Sequence, residues 1–408
     1  MDNAARLRQR PMPIGAFPLP FGYLLLPTAT PDEARAALLA GRVPAPWPDE
    51  LRGHELAFAG DTAGALAVLC GDDLISRYNR FVIDPDAADP DALRSELGPQ
   101  LAPLVDVVLF GLGRTDVPPS GEGVTGEVAA LALAAQAAAA VDAERFGEAA
   151  TLLERAIEAA SESYPALAGV LYGAAAQVCR AAGDIPAATA ALTAGIAVLV
   201  DTDLVVGCAE LHMELATLLH EQAGDRRDLL ATAVNHYHSA LQMISAELAP
   251  HLFAAAHANL ASAYLTMPMV EASDQLRLGV AVGSLRAALE IYTPEAYPQE
   301  WSSAQLNLAN ALVYAPSTHQ ADNLVEAVEL YEAVLVARDR HEDPLGYARV
   351  LANQGNALAH LGMFEHARGK LVEARFIFEE FHEYDATSSV RGLLDEIART
   401  TVMAGENA

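Results

Sequence analysis

From residue 126 onward, apolar and small side chains recur at offsets that share one face of a helix. The segments AERFGEAATLLERAI (143–157), AGDIPAATAALTAGI (182–196) and LGMFEHARGKLVEAR (361–375) each open on a turn. A hydrophobic residue follows, then a small residue three positions on, a large apolar residue four beyond that, and another small residue after three more. Offsets of three, four and seven line one stripe of an α-helix. The pattern occurs six times, with the small residue at Ala149, Ala188, Ala233, Ala281, Ala327 and Ala367, and the large residue at Leu153, Leu192, Tyr237, Leu285, Tyr331 and Leu371. Before each such helix the periodicity predicts a partner helix with its own small residue: Ala137, Ala176, Ala216, Ala261, Ala309 and Gly355. Small residues are required where two helix axes cross closely. A single amphipathic pair cannot bury its own apolar stripe, so six consecutive pairs must stack on one another.

These small residues, the turn glycines Gly183 and Gly362, and the aromatics Phe146, Tyr264 and Phe364 resemble the tetratricopeptide repeat family over roughly residues 126–380. The phrase YPQEWSSAQLNLANAL (297–312) is similar to the long-period bacterial form of that repeat. The resemblance implies an all-α fold, a right-handed α-solenoid of stacked antiparallel helix pairs. The chain departs from the family's period of about 34 residues. Its first-helix small residues are spaced by 39, 40, 45, 48 and 46 residues. The excess falls in inserts near 222–230, 267–277 and 315–324, which in a solenoid gather along one edge.

Four regions result. Residues 1–115 are less regular and are expected to be a divergent helical region, with Asp61, Asp72 and Asp73 as helix-start residues. Whether it caps the first repeat or forms a separate small domain stays open. Residues 116–125 (DVPPSGEGVT) read as a linker, 126–385 as about six helix pairs, and 386–408 as a capping helix and tail in which Ser388 or Ser389 would be the N-cap.

In the resembled family the first helices line a concave face that holds extended peptides. Three first helices here carry an asparagine two positions before the small residue, Asn259, Asn307 and Asn353, with Ser262, Asn310 and Asn356 three positions further on. Asparagine is a poor helix-interior residue, because its amide competes for backbone hydrogen bonds. Regular recurrence therefore has two readings: a ladder of amides that holds a peptide's main chain, or ties between neighbouring helices. Arg349 stands where family members that clamp a carboxylate carry a basic residue, and His360 lies near the end of the same helix. The other bases of such a clamp have no match, and a solvated surface arginine is the alternative.

Composition narrows the function. The net charge of −29 repels phosphate backbones and anionic lipid, which disfavours nucleic acid and membrane surfaces and favours basic partner segments. Lys370 is the lone lysine, and the Arg- and Ala-rich composition suggests a GC-rich bacterial genome. Three scattered cysteines indicate neither a disulfide framework nor a zinc cluster. The apolar stretch 11–27 is broken by prolines and resembles neither a signal peptide nor a span, so a cytoplasmic location is the default expectation. His236 and His238, and His212 and His220, lack a third ligand at metal spacing. GxxxxGKS/T, HExxH and GxSxG motifs are missing. The expectation is a protein- or peptide-binding scaffold or adaptor without cofactor, metal or catalytic activity, such as an assembly or maturation chaperone. A regulatory protein with residues 1–115 as its effector is the alternative. Self-association through the inserts or through Phe17–Leu26 is left open.

Overall fold

A computed structural model describes residues 25–26, 32–161, 164–268, 275–315 and 319–406. Among them are nineteen α-helices and no strand. The chain divides into two units, residues 1–218 and 219–408.

The described part of unit 1 begins with six helices of twelve residues or fewer: α1 (Asp32–Leu39), α2 (Arg52–Phe58), α3 (Thr62–Val68), α4 (Leu74–Ile83), α5 (Pro90–Leu101) and α6 (Pro103–Gly111). Two pairs follow, α7 (Gly126–Asp142) with α8 (Phe146–Ser161) and α9 (Pro165–Ala181) with α10 (Ile185–Leu199), and the unit ends within α11 (Val205–Ala223). Unit 2 contains α12 (Arg227–Met243), then α13 (Pro250–Thr266) with α14 (Gln275–Leu289), α15 (Pro298–Tyr314) with α16 (Gln320–Ala337), α17 (Pro344–His360) with α18 (Phe364–Glu380), and the closing helix α19 (Tyr384–Glu406). The inserts 267–277 and 315–324 lie partly outside the described residues, as does the stretch Phe17–Leu26 apart from Leu25 and Leu26, which are buried.

All twelve expected small positions are buried, as are the six large residues that follow the second-helix set. The reason is visible at Gly355. A Cβ there would lie 2.7 Å from Leu371 Cγ and 3.2 Å from the Ala367 carbonyl oxygen, so the α17 and α18 backbones are nearly in contact. Alanine suffices where the approach is slightly wider.

Helix ends are set by two recurring devices. Four first helices, α9, α13, α15 and α17, open with proline at the first position, after a residue near φ −140° and ψ 70°. Proline's fixed φ suits that position, where the missing N–H has no intrahelical partner anyway. Within the pairs α7–α8, α9–α10 and α17–α18, the first helix ends in a left-handed residue: Glu144 (φ 58°), Gly183 (φ 80°) or Gly362 (φ 74°). The following N–H reaches back to close the helix, for example Asp184 to the Cys179 carbonyl at 2.8 Å and Met363 to the Leu358 carbonyl at 2.9 Å. Asp61 and Asp73 cap α3 and α4, accepting from the Gly64 and Ser76 N–H groups. The closing helix starts earlier than expected, at Tyr384 after a left-handed His382. Ser389 is therefore not its N-cap; it lies in the second turn and donates to the Asp385 carbonyl.

The core of unit 1 runs without a break from the first six helices into the pairs, through Leu51, Tyr78, Phe81 and Leu104 to Ala130, Leu131 and Leu167. The 116–125 segment is tied down by Gln136, which donates to the Pro119 carbonyl, and by Gln100, which donates to the Gly123 carbonyl. The turn after α1 is fastened to the turn after α10. The Asp203 N–H donates to the Gly41 carbonyl at 2.8 Å, and the Val43 N–H donates to the Asp203 carboxylate at 2.7 Å.

Two predictions of opposite sign follow from the helix crossings and turns. Gly355→Ala should destabilise unit 2 by about 1–3 kcal/mol through overpacking, read as a lower urea midpoint. Glu144→Gly should stabilise the fold by about 1 kcal/mol, read as a higher urea midpoint, because glycine enters the left-handed region without a Cβ clash. A third concerns His54, buried on α2, whose pKa desolvation lowers to about 4. The unfolded chain takes up the proton near its ordinary value of 6.5. The stability linked to this group is therefore intact above pH 6.5 and falls as the pH drops towards 4, by roughly 3 kcal/mol. Denaturation curves at pH 7.5 and 4.5 should show that loss, and His54→Leu should reduce it.

Candidate peptide-binding face

In unit 2 the first helices α13, α15 and α17, together with α19, touch one another in succession and form one layer. Ala261, Ala309 and Gly355 are buried at equivalent positions of the three first helices, and Gly355 lies against α18. The residues flanking them, Asn259, Ser262, Asn307, Asn310, Asn353 and Asn356, are all half-buried. Five positions after each small residue stand Thr266, Tyr314 and His360, all exposed.

The amides divide into two kinds. Asn310 joins three helices: its Oδ1 accepts from the Tyr331 hydroxyl of α16 at 2.7 Å and from Asn353 Nδ2 of α17 at 3.0 Å. Burial pushes the Tyr331 hydroxyl pKa up, so it stays a donor. Asn356 Nδ2 donates to the Tyr314 hydroxyl at 3.4 Å. Asn259 and Asn307, by contrast, engage no other side chain among the described residues. The amides that are tied keep part of their capacity: the Nδ2 group of Asn310 and the Oδ1 of Asn353 remain for other partners.

At the α13 edge two histidines hold hydroxyl groups. His238 Nε2 lies 2.9 Å from the Tyr264 hydroxyl, and His220 Nε2 lies 3.1 Å from Thr266 Oγ1. These two histidines, without a third ligand at metal spacing, orient Tyr264 and Thr266. His257 packs edge-on against Phe253, and burial, with His238 close by, lowers its pKa. Among the described residues no three His, Cys, Asp or Glu side chains gather as a metal site, and no helix is long and apolar enough to cross a membrane.

Arg349 and His360 are both exposed but stand eleven residues apart on α17, about 16 Å along the axis. They cannot grip one carboxylate together. Charge is otherwise sparse on the three first helices. Helix α13 has no Asp, Glu, Lys or Arg; α15 has only Glu300 and α17 only Arg349. The charged residues concentrate on α16, α18 and α19, and some pair between neighbouring helices, as Arg286–Glu326 at 3.0 Å and Lys370–Glu332 at 3.0 Å.

A second amide, which the sequence pattern did not single out, lies in unit 1. Asn79 of α4 is fully buried and holds both main-chain groups of Leu26. The available signal was a lone amide between the apolar residues Tyr78 and Phe81 of the amphipathic helix LISRYNRFVI.

No protein-family profile matches the chain, and no curated protein does. Its fold is that of tetratricopeptide-like repeat proteins. The apo form of RapI is similar at 12% identity and a TM-score of 0.50, covering 86% of this chain and 96% of that one. The C-terminal part of a TPR repeat-containing protein from Cytophaga hutchinsonii aligns at 10% identity and a TM-score of 0.41, covering 80% and 93% of the two chains. A Rap protein complexed with competence and sporulation factor aligns at 13% identity and 0.41, covering 86% and 97%.

The Asn310 junction yields a test. Asn310→Leu leaves the buried Tyr331 hydroxyl without its acceptor and should cost about 1–3 kcal/mol. Adding Tyr331→Phe should recover part of that loss, giving a non-additive double-mutant cycle in urea denaturation.

Proposed function

We propose that this chain, a tetratricopeptide-like repeat protein in fold, is a binding scaffold that lays an extended segment of a partner protein along α13, α15 and α17. The observation that carries the reading is the row of half-buried amides on three first helices almost free of charge. A carboxamide offers two donors and an acceptor, so it pairs with either polar group of a peptide main chain without reading the side chain. Asn259 and Asn307 are unengaged and would take the main chain directly. Asn310 and Asn353 are oriented beforehand by their shared hydrogen bond, which lowers the ordering cost of binding. Arg349 would meet an acidic group or chain end at one end of α17, and His360 a polar group at the other.

The partner segment that suits this layer is uncharged where it touches the amides. Basic flanking residues would be attracted by the acids of α16 and α18 without entering the layer. A role in assembling or maturing a larger complex agrees with recognition through the main chain, since one face would then accept several related segments.

Titration calorimetry with a partner captured by the wild-type chain tests the reading. Asn259/Asn307/Asn353→Ala, checked for unchanged helical content, should weaken binding by about 3 kcal/mol, or roughly a hundredfold, at about 1 kcal/mol per hydrogen bond lost. For a segment without charged flanks, raising salt from about 50 to 300 mM should change the affinity little, since few charges are neutralised. Equal binding by both chains would remove the amide row from the function.

A further inference from the structure

A second buried amide contact lies at α4 in unit 1. Residues 25 and 26 belong to no helix or strand, yet Leu25 is fully buried and Leu26 nearly so. The main chain of Leu26 is held by a side chain from 53 residues away: its N–H donates to Asn79 Oδ1 at 2.7 Å, and its carbonyl accepts from Asn79 Nδ2 at 2.7 Å. Asn79 is itself 0% exposed. The His54 ring lies against the same stretch of main chain. Leu25 and Leu26 share one apolar cluster with Leu51, Tyr78 and Phe81.

A segment meant only to fill core space needs no such arrangement. Burying a carboxamide is costly unless its hydrogen bonds are made, and asparagine is disfavoured inside a helix. Both costs are met here to pair the two polar groups of one residue, as a neighbouring β-strand would. The pairing reads main chain, and the cluster around it reads two apolar side chains. Proline follows at position 27, so the peptide bond after Leu26 has no N–H to offer. Without its occupant, Asn79 would be left as a buried amide lacking all its partners.

We propose that α4, with Asn79 as its clamp, is a peptide site for an extended leucine-leucine segment, and that Leu25–Leu26 is its intramolecular ligand. The site takes the same segment from a separate molecule when the covalent connection is cut. It is distinct from the amide row of unit 2 and does not depend on the function assigned to that row.

The test uses the full chain with a protease recognition sequence inserted between Pro27 and Pro31. After cleavage, gel filtration should show the N-terminal fragment still associated. A fluorescent synthetic peptide of residues 17–27 should replace it and bind saturably. The same peptide methylated on the Leu26 nitrogen lacks the donor to Asn79 and should bind at least tenfold more weakly. Asn79→Ala should release the fragment on cleavage. If that variant does not fold, the comparison of the two peptides on the unmutated chain decides. Retention of the fragment without exchange would make residues 25–26 a structural strap and overturn the proposal. So would equal binding of the native and methylated peptides, or a cleaved, fully helical chain that binds neither.

Discussion

Close approach of helix backbones is the constraint on which the structure rests. Gly355 and Leu371 leave no room for a methyl group between α17 and α18, and a buried alanine or glycine stands at the corresponding place in every first and second helix. With the axes this near, the larger side chains Leu153, Leu192, Tyr237, Leu285, Tyr331 and Leu371 bury completely or almost so. The spacing of the axes also decides which polar groups can meet. Asn310 reaches both Tyr331 and Asn353 because three helices converge on it. A wider packing would leave the same amides too far apart to bond. The face suggested for binding is thus a by-product of the core.

Much of this was legible in the residue pattern, because it is enforced by local periodicity. The twelve small positions and the glycine turns at Gly183 and Gly362 follow from spacing alone. The left-handed turn at Glu144 was not legible, since a charged residue gives no sign that it will adopt a conformation that favours glycine. The start of α19 at Tyr384 was hidden in the same way, behind His382. The amide row could be seen but not sorted. Whether an asparagine ties helices or stays free depends on partners more than twenty residues distant, such as Tyr331, and position in the repeat does not report them. The clamp at Asn79 was harder still, since its partner is the main chain of a residue that carries no pattern of its own.

The distribution of charge modifies what the net value of −29 implied. An acidic chain suggests an acidic binding surface. In unit 2 the acids instead lie mainly on second helices and connecting turns, where several are neutralised by arginines or by Lys370 on a neighbouring helix. Pairs of this kind at the surface add little stability each. Their effect is to leave the first helices to alanine, leucine, hydroxyl and amide groups, a surface on which hydrogen bonding is screened little by salt.

The fastening of the turn after α1 also bears on the order in which unit 1 can form. Gly41 and Val43 are held by Asp203, which follows them by about 160 residues, and Leu26 by Asn79. The turns between paired helices, by contrast, are closed by residues a few positions apart. During synthesis the helix pairs can close as they emerge, while the turn that holds Gly41 and Val43 must wait for most of the unit to be made. Gly41 and Val43 emerge long before Asp203, which fastens them, and Leu26 emerges before Asn79, so Leu25 and Leu26 stay available to other proteins until α4 has been made.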